Sequence, residues 1–97
     1  MSRYLDLRNN EIVEAFLLGV DDIPKWCRDR IVKYEWSKYP LVDIEGKSYL
    51  IGYFIRDDGG MVIALFGCTY MIMKSNGDIV GCPSYLFKDI YTRVEDE

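Results

Sequence analysis

Ninety-seven residues, 49% of them hydrophobic, are enough for one folded domain over 1–97 and too apolar for a disordered chain. A net charge of −4, with 12 Lys and Arg against 16 Asp and Glu, argues against direct binding to a nucleic-acid backbone, which needs clustered cations. The absence of histidine excludes Ser–His and Cys–His nucleophile pairs within one chain, and it leaves three widely spaced cysteines, Cys27, Cys68 and Cys82, without the usual zinc co-ligand.

Along the chain, the polar start carries Tyr4, Leu5 and Leu7 and ends in Asn9-Asn10, a turn signal. The next run, 11–18, reads two ways. Taken alone it is a short helix, with Asn10 as its N-cap, Ile12/Phe16 and Val13/Leu17 at i,i+4 and Gly19 as a stop; the second reading, a strand, comes from the resemblance described below. Asp22-Ile23-Pro24 is a helix start. Ile23, Cys27, Ile31 and Tyr34 repeat at helical spacing, which predicts an amphipathic helix of about three turns ending before Pro40. From Leu41 the period changes to two. Leu41–Ile44 precedes a turn at Glu45-Gly46-Lys47, and Ser48–Arg56 reads as a long strand. Asp57-Asp58-Gly59-Gly60 is a hairpin loop, followed by strands over Met61–Phe66 and Thr69–Lys74. Asn76-Gly77 is a second hairpin turn and Asp78–Gly81 returns. Pro83–Lys88 predicts one helical turn, Ile90–Val94 a last strand and Glu95–Glu97 a frayed acidic tail.

The stretch from Phe66 to Val94 resembles a C-terminal pattern of small bacteriophage and prophage proteins: Gly-Asp-Trp/Tyr-Ile-Ile-Lys-Gly, then Pro-Cys-Lys-Pro-Asp-Ile-Phe-Glu-Lys-Thr-Tyr. Gly67, Tyr70, Ile72 and Lys74 fall near its first part, Gly77 and Asp78 stand at the turn, and Cys82, Leu86, Phe87 and Tyr91 match the second. This chain has Pro83 at the family lysine and Ser84 at the second proline. The family's β-branched run followed by Ile-Pro-Glu-Trp is similar to Ile12–Phe16 and Ile23–Trp26, and that resemblance implies a strand over 11–18. It implies a phage origin and no general activity.

The expected fold class is α+β: one amphipathic helix packed on a strongly curved, mostly antiparallel sheet, or on a partly closed barrel. Leu86, Phe87 and Cys82 are expected to be buried together. Strands 48–56, 61–66 and 70–73 are apolar on both faces, so one helix leaves a face uncovered. The expected remedy is a homo-oligomer with its ligand site at or near the subunit contact.

Candidate chemistry is sparse. Asp57-Asp58 in a Gly-rich loop is the tightest acidic pair, but turn chemistry explains it. No phosphate loop is present, and Cys82 reads as a packing residue. The candidate ligand-binding residues are Tyr53, Arg56, Tyr70, Lys74, Tyr85 and Tyr91, because Arg and Lys bind phosphate and Tyr stacks on bases. The expectation is a non-enzymatic cytoplasmic protein without cofactor, metal, membrane or direct nucleic-acid contact. Its role would be counter-defence by sequestering a nucleotide-type immune signal. The alternatives are an acidic inhibitor of a host defence protein such as a CRISPR nuclease, and a phage structural or housekeeping protein. A cleft holding Arg56 or Lys74 with tyrosines favours the nucleotide, and a contiguous acidic face favours the basic protein.

Overall fold

The structure is a computed structural model that describes residues 2–38 and 48–94. Leu41–Lys47 and Glu95–Glu97 lie outside them.

The chain begins as a hairpin. Strands β1 (Ser2–Asp6) and β2 (Glu11–Leu17) pair antiparallel with Tyr4 opposite Val13. Asn10 takes the left-handed conformation that closes the turn, at φ 61°. The run 11–17 is thus a strand, as the phage-type pattern implies, although its spacing also fits a helix. Cross-strand pairing on both edges outweighs the small helical preference of Ala15, Phe16 and Leu17.

The predicted three-turn helix is not formed. A single turn, α1 (Lys25–Arg28), closes with the Cys27 and Arg28 N–H groups on the Pro24 carbonyl. Ile31–Lys38 then runs as strand β3. The reason is visible in the residues. Val32, Tyr34 and Trp36 alternate with Lys33 and Glu35, a period of two, and they find a partner in β4 (Ser48–Ile55), from Ile31 opposite Phe54 to Lys38 opposite Ser48. Helical spacing within Ile23–Tyr34 could not offer that partner.

Strands β5 (Met61–Leu65), β6 (Thr69–Met73) and β7 (Ile79–Pro83) follow, then helix α2 (Ser84–Ile90) and strand β8 (Tyr91–Val94). The described strands form two open antiparallel sheets, β7-β6-β2-β1-β8 and β3-β4-β5, and no closed barrel. The architecture is mostly antiparallel sheet with two short helices.

The two sheets and α2 make three layers. Along β6, neighbouring residues point to opposite faces. Met71 joins Phe16, Leu18 and Ile79 against Phe54 and Ala64 of the small sheet. Ile72 joins Val13, Ala15 and Cys82 against Phe87 of α2. The second sheet therefore supplies the cover that the sequence assigned to a second subunit, at least for β6. An ionic clasp ties the layers at one end. Arg30, just after α1, bonds Asp57 at 2.6 Å and donates to the Gly77 carbonyl at 3.0 Å, while Arg56 pairs with Asp78 at 3.3 Å. Asp57 thereby serves as an anion of this clasp.

At the other end Gly19 turns the chain at φ 87°, where a Cβ would sit 3.0 Å from the Gly67 nitrogen. Gly19→Ala meets both the left-handed penalty and that contact, and should lower unfolding free energy by about 1–3 kcal/mol in denaturant titration.

In α2, Phe87 is buried between Tyr4, Tyr70 and Tyr91, with the Tyr70 ring stacked at 3.8 Å. Leu86, expected beside it, is 39% exposed because one helical step turns it by about 100° away from the sheet. Phe87→Ala should cost about 3–5 kcal/mol and Leu86→Ala about 1 kcal/mol or less. Equal losses in paired denaturation curves would contradict this helix orientation.

Candidate functional site

The six candidate residues do not converge. Tyr53 lies on the small sheet, its hydroxyl donating to Glu35 and its ring under the Lys33 ammonium at 4.6 Å. That hydroxyl and then Lys33 hold the Glu35 carboxyl below the usual carboxylate range. Tyr70 is stacked on Phe87 inside the helix-side core, and burial pushes its hydroxyl pKa up. Tyr85 is exposed on α2. Only Lys74 and Tyr91 line one cleft, and Arg56 lines another.

The Arg56 cleft, about 460 Å³, opens between β5 and β7 among Met61, Ile63, Val80 and Pro83. Its electrostatics oppose an anion. Arg56 is engaged by Asp78 at 3.3 Å and Asp58 at 3.5 Å, so this local group carries one positive and two negative charges, a net −1. Two backbone N–H groups, of Ile79 and Asp57, hold the Asp78 carboxyl in its charged form and lower its pKa.

The Lys74 cleft is about 340 Å³ and lies between α2 and the large sheet. Val13, Val80, Leu86 and Ile90 give it apolar walls, and Asp6, Arg8, Lys74 and Tyr91 form its polar side. Each polar residue has a structural reason to be there. Asp6 ends β1 and pairs with Tyr91 of β8, which places the two side by side. Arg8 follows in the hairpin loop and folds back, with Nε and Nη2 donating to the two Asp6 carboxylate oxygens at 3.0 and 2.9 Å. Its Nη2 also donates to the Tyr91 hydroxyl at 3.0 Å. Lys74 follows β6, and among the described residues its ammonium has no hydrogen-bond or ion-pair partner. Arg8 and Lys74 face Asp6 in the lining, and the Glu11 carboxylate, which accepts the Ser75 N–H at 3.2 Å and acts on Tyr91, stands beside them.

Asp6 is 3% exposed, so its charge depends on Arg8. The Arg8 hydrogen bonds hold its carboxyl below the ordinary carboxylate value of 3.8 and raise the guanidinium further. Burial pushes the Tyr91 hydroxyl and the Cys82 thiol upward, so Cys82 is a thiol and not a thiolate at neutral pH. Cys27, fully buried, is pushed up to about 12 for the same reason. Tyr91 offers a ligand little ring surface: Phe87 stacks on it at 4.9 Å, and Arg8 sits 5.6 Å from its centroid. The cleft is thus suited to grip a charged group through Arg8 and Lys74 beside an apolar wall, more than to stack a base between tyrosines.

Sequence reading missed Asp6 and Arg8. The available signal was the polar pair at the end of an otherwise alternating strand. Its meaning depends on β8 returning beside β1, eighty-five residues later in the case of Asp6 and Tyr91.

No family model matches the chain, and comparison with curated proteins and with solved structures returns no match. Among the described residues, no helix is long and apolar enough to cross a membrane. No three His, Cys, Asp or Glu residues among them are grouped to hold a metal ion.

Because the folded Asp6 pKa is depressed, its stabilisation is fully present above the unfolded carboxylate value and is lost as pH falls through the folded value. Asp6→Asn should therefore lower stability at neutral pH, by about 1–3 kcal/mol, and flatten the acid limb of a stability-versus-pH curve. An unchanged acid limb would mean that Arg8 does not hold this carboxylate in solution.

Proposed function

We propose that the protein is a non-catalytic binding protein that sequesters a small anionic ligand of the nucleotide class in the Lys74 cleft. One observation carries the reading: a half-buried lysine without an ion partner among the described residues shares a cleft of 340 Å³ with an oriented arginine. A phosphate or carboxylate of a ligand meets such a lysine with charge-assisted hydrogen bonds. The volume lies within the range of small-molecule sites and suits a mononucleotide-sized group or one half of a larger one. The buried Asp6 fixes the Arg8 guanidinium before the ligand arrives, which reduces the ordering entropy of binding. The phage-type resemblance of residues 66–94 implies a phage origin alone; counter-defence, with a nucleotide immune signal as the ligand, is the role we propose within that setting.

Of the six candidate residues, this reading keeps Lys74 and Tyr91 as ligand contacts and adds Arg8. Arg56 is bound to two carboxylates, and the Tyr70 ring is stacked within the core. An acidic inhibitor acting on a basic host protein would leave this cleft without a role.

Isothermal titration with inorganic phosphate, mononucleotides and cyclic dinucleotides tests the proposal. At least one nucleotide should bind, and Lys74→Ala should weaken it about 10- to 100-fold, the worth of one charge-assisted hydrogen bond. Arg56→Ala should leave binding unchanged. A panel with no binding to the wild type, or binding insensitive to Lys74→Ala, would remove the reading.

A further inference from the structure

We infer that the outer edge of β5 is a self-pairing surface, on which a second copy of this chain adds its own β5 about a two-fold axis through Ile63. The inference rests on a comparison of the four sheet edges and does not depend on the ligand.

An open strand edge presents unpaired N–H and C=O groups, and proteins that stay monomeric blunt such edges with charge, proline, glycine, bulges or short length. Three edges here are blunted. Strand β7 carries Gly81 and ends in Pro83. Strand β8 has four residues, one of them Arg93. Strand β3 carries Lys33 and Glu35 and a register irregularity between Ile31 and Lys33. Strand β5, Met-Val-Ile-Ala-Leu, has none of these devices. Among the described residues, no strand pairs with its outer edge.

Hydrogen-bond parity says which groups that edge offers. The Arg56 N–H donates to the Gly60 carbonyl at 2.8 Å and the Phe66 N–H to the Leu50 carbonyl at 3.0 Å. In an antiparallel ladder the bonded pairs alternate. Val62 and Ala64, opposite Phe54 and Gly52, therefore bond to β4, and the backbone groups of Met61, Ile63 and Leu65 point outward. This set is symmetric about Ile63. A two-fold axis there places Ile63 opposite the Ile63 of the second copy and Met61 opposite Leu65. Met61, Ile63 and Leu65 of each copy then aim their backbone groups at the partner, as an isologous contact requires.

Side chains and charge agree with that register. Val62 and Ala64 pack into the core, so Met61 and Ile63 lie on the outer face, where they are 49% and 59% exposed. Ile55 pairs with Met61 across the strands and is 44% exposed. Joining two copies extends this apolar ladder across the axis. The charged hairpin at Arg56–Asp58 precedes β5, so antiparallel pairing sets it near the uncharged Phe66–Cys68 of the other copy and not against its equivalent. Charge therefore does not oppose the contact. A second copy fits better than an unrelated peptide because the free groups, the apolar side chains and the neutral flank are all self-complementary about one residue.

Sedimentation equilibrium across a micromolar concentration series is the test. The wild type should approach twice 11.4 kDa. Ile63→Lys, a change at an exposed position that sets two ammonium groups face to face, should keep its far-UV circular dichroism and stay at the single-chain mass. A wild-type monomer throughout the series, or an Ile63→Lys variant that associates as the wild type does, overturns the inference. A second variant guards against loss of folding: Ile63→Cys in a Cys68→Ser background should give a covalent dimer with a short bismaleimide. Ile12→Cys, on an internal strand in the same background, should not. Failure of the Ile63→Cys cross-link overturns the two-fold register as well.

Discussion

Two-sided burial of β6 is the constraint on which the rest of the structure depends. Met71 and Ile72 are adjacent in sequence and both wholly buried, which an alternating strand permits only if each face of the sheet has its own cover. The three-stranded sheet covers Met71, and α2 with its Phe87 covers Ile72. Each cover is small. A helix of seven residues is too short to be stable alone, and the three-stranded sheet needs its apolar face covered, so both depend on the sheet they pack against. That mutual dependence links a hairpin at the start of the chain to a helix near its end.

The same layering decides where charge can sit. Arg30 reaches the Gly77 carbonyl in the loop before β7 while pairing with Asp57 of the β4–β5 hairpin, and Arg56 reaches Asp78 in that same loop. Their charge is consumed in joining layers. Lys74 lies on the helix side of the large sheet, where the Asp6 carboxylate that feels its charge is already held by Arg8 at two oxygens. Lys74 is thus left without an ion pair among the described residues. An acidic protein presents a cation to this cleft through the way its ion pairs are distributed, not through its composition.

The helix-side cleft is also built from both ends of the chain. Strand β8 returns to pair with β1, bringing Tyr91 against Asp6 and Arg8. The site and the closure of the sheet are one event: pairing that fails at β8 removes a wall of the cleft and uncovers the outer edge of β1.

The amino-acid sequence by itself determined the hairpins and most of the strands. Asp57–Gly60 and Asn76-Gly77 are local turn chemistry, and runs such as Met61–Leu65 have few alternatives at such short length. It also offered Phe87 as an anchor, with Leu86 beside it. Tertiary structure decided what depended on distant partners. Ile31–Trp36 satisfies helical spacing and strand alternation together, and only β4 across from it makes the strand win. Glu11–Leu17 became a strand because β1 and β6 flank it. Leu86 and Phe87 are equally apolar, and the direction of α2 on the sheet buries one and exposes the other. Among the candidate residues, Arg56 and Lys74 are the same kind of side chain in the sequence. Only the fold gives one of them two carboxylates and leaves the other facing a cleft, because ion pairing depends on distances of a few ångströms between residues far apart in the chain.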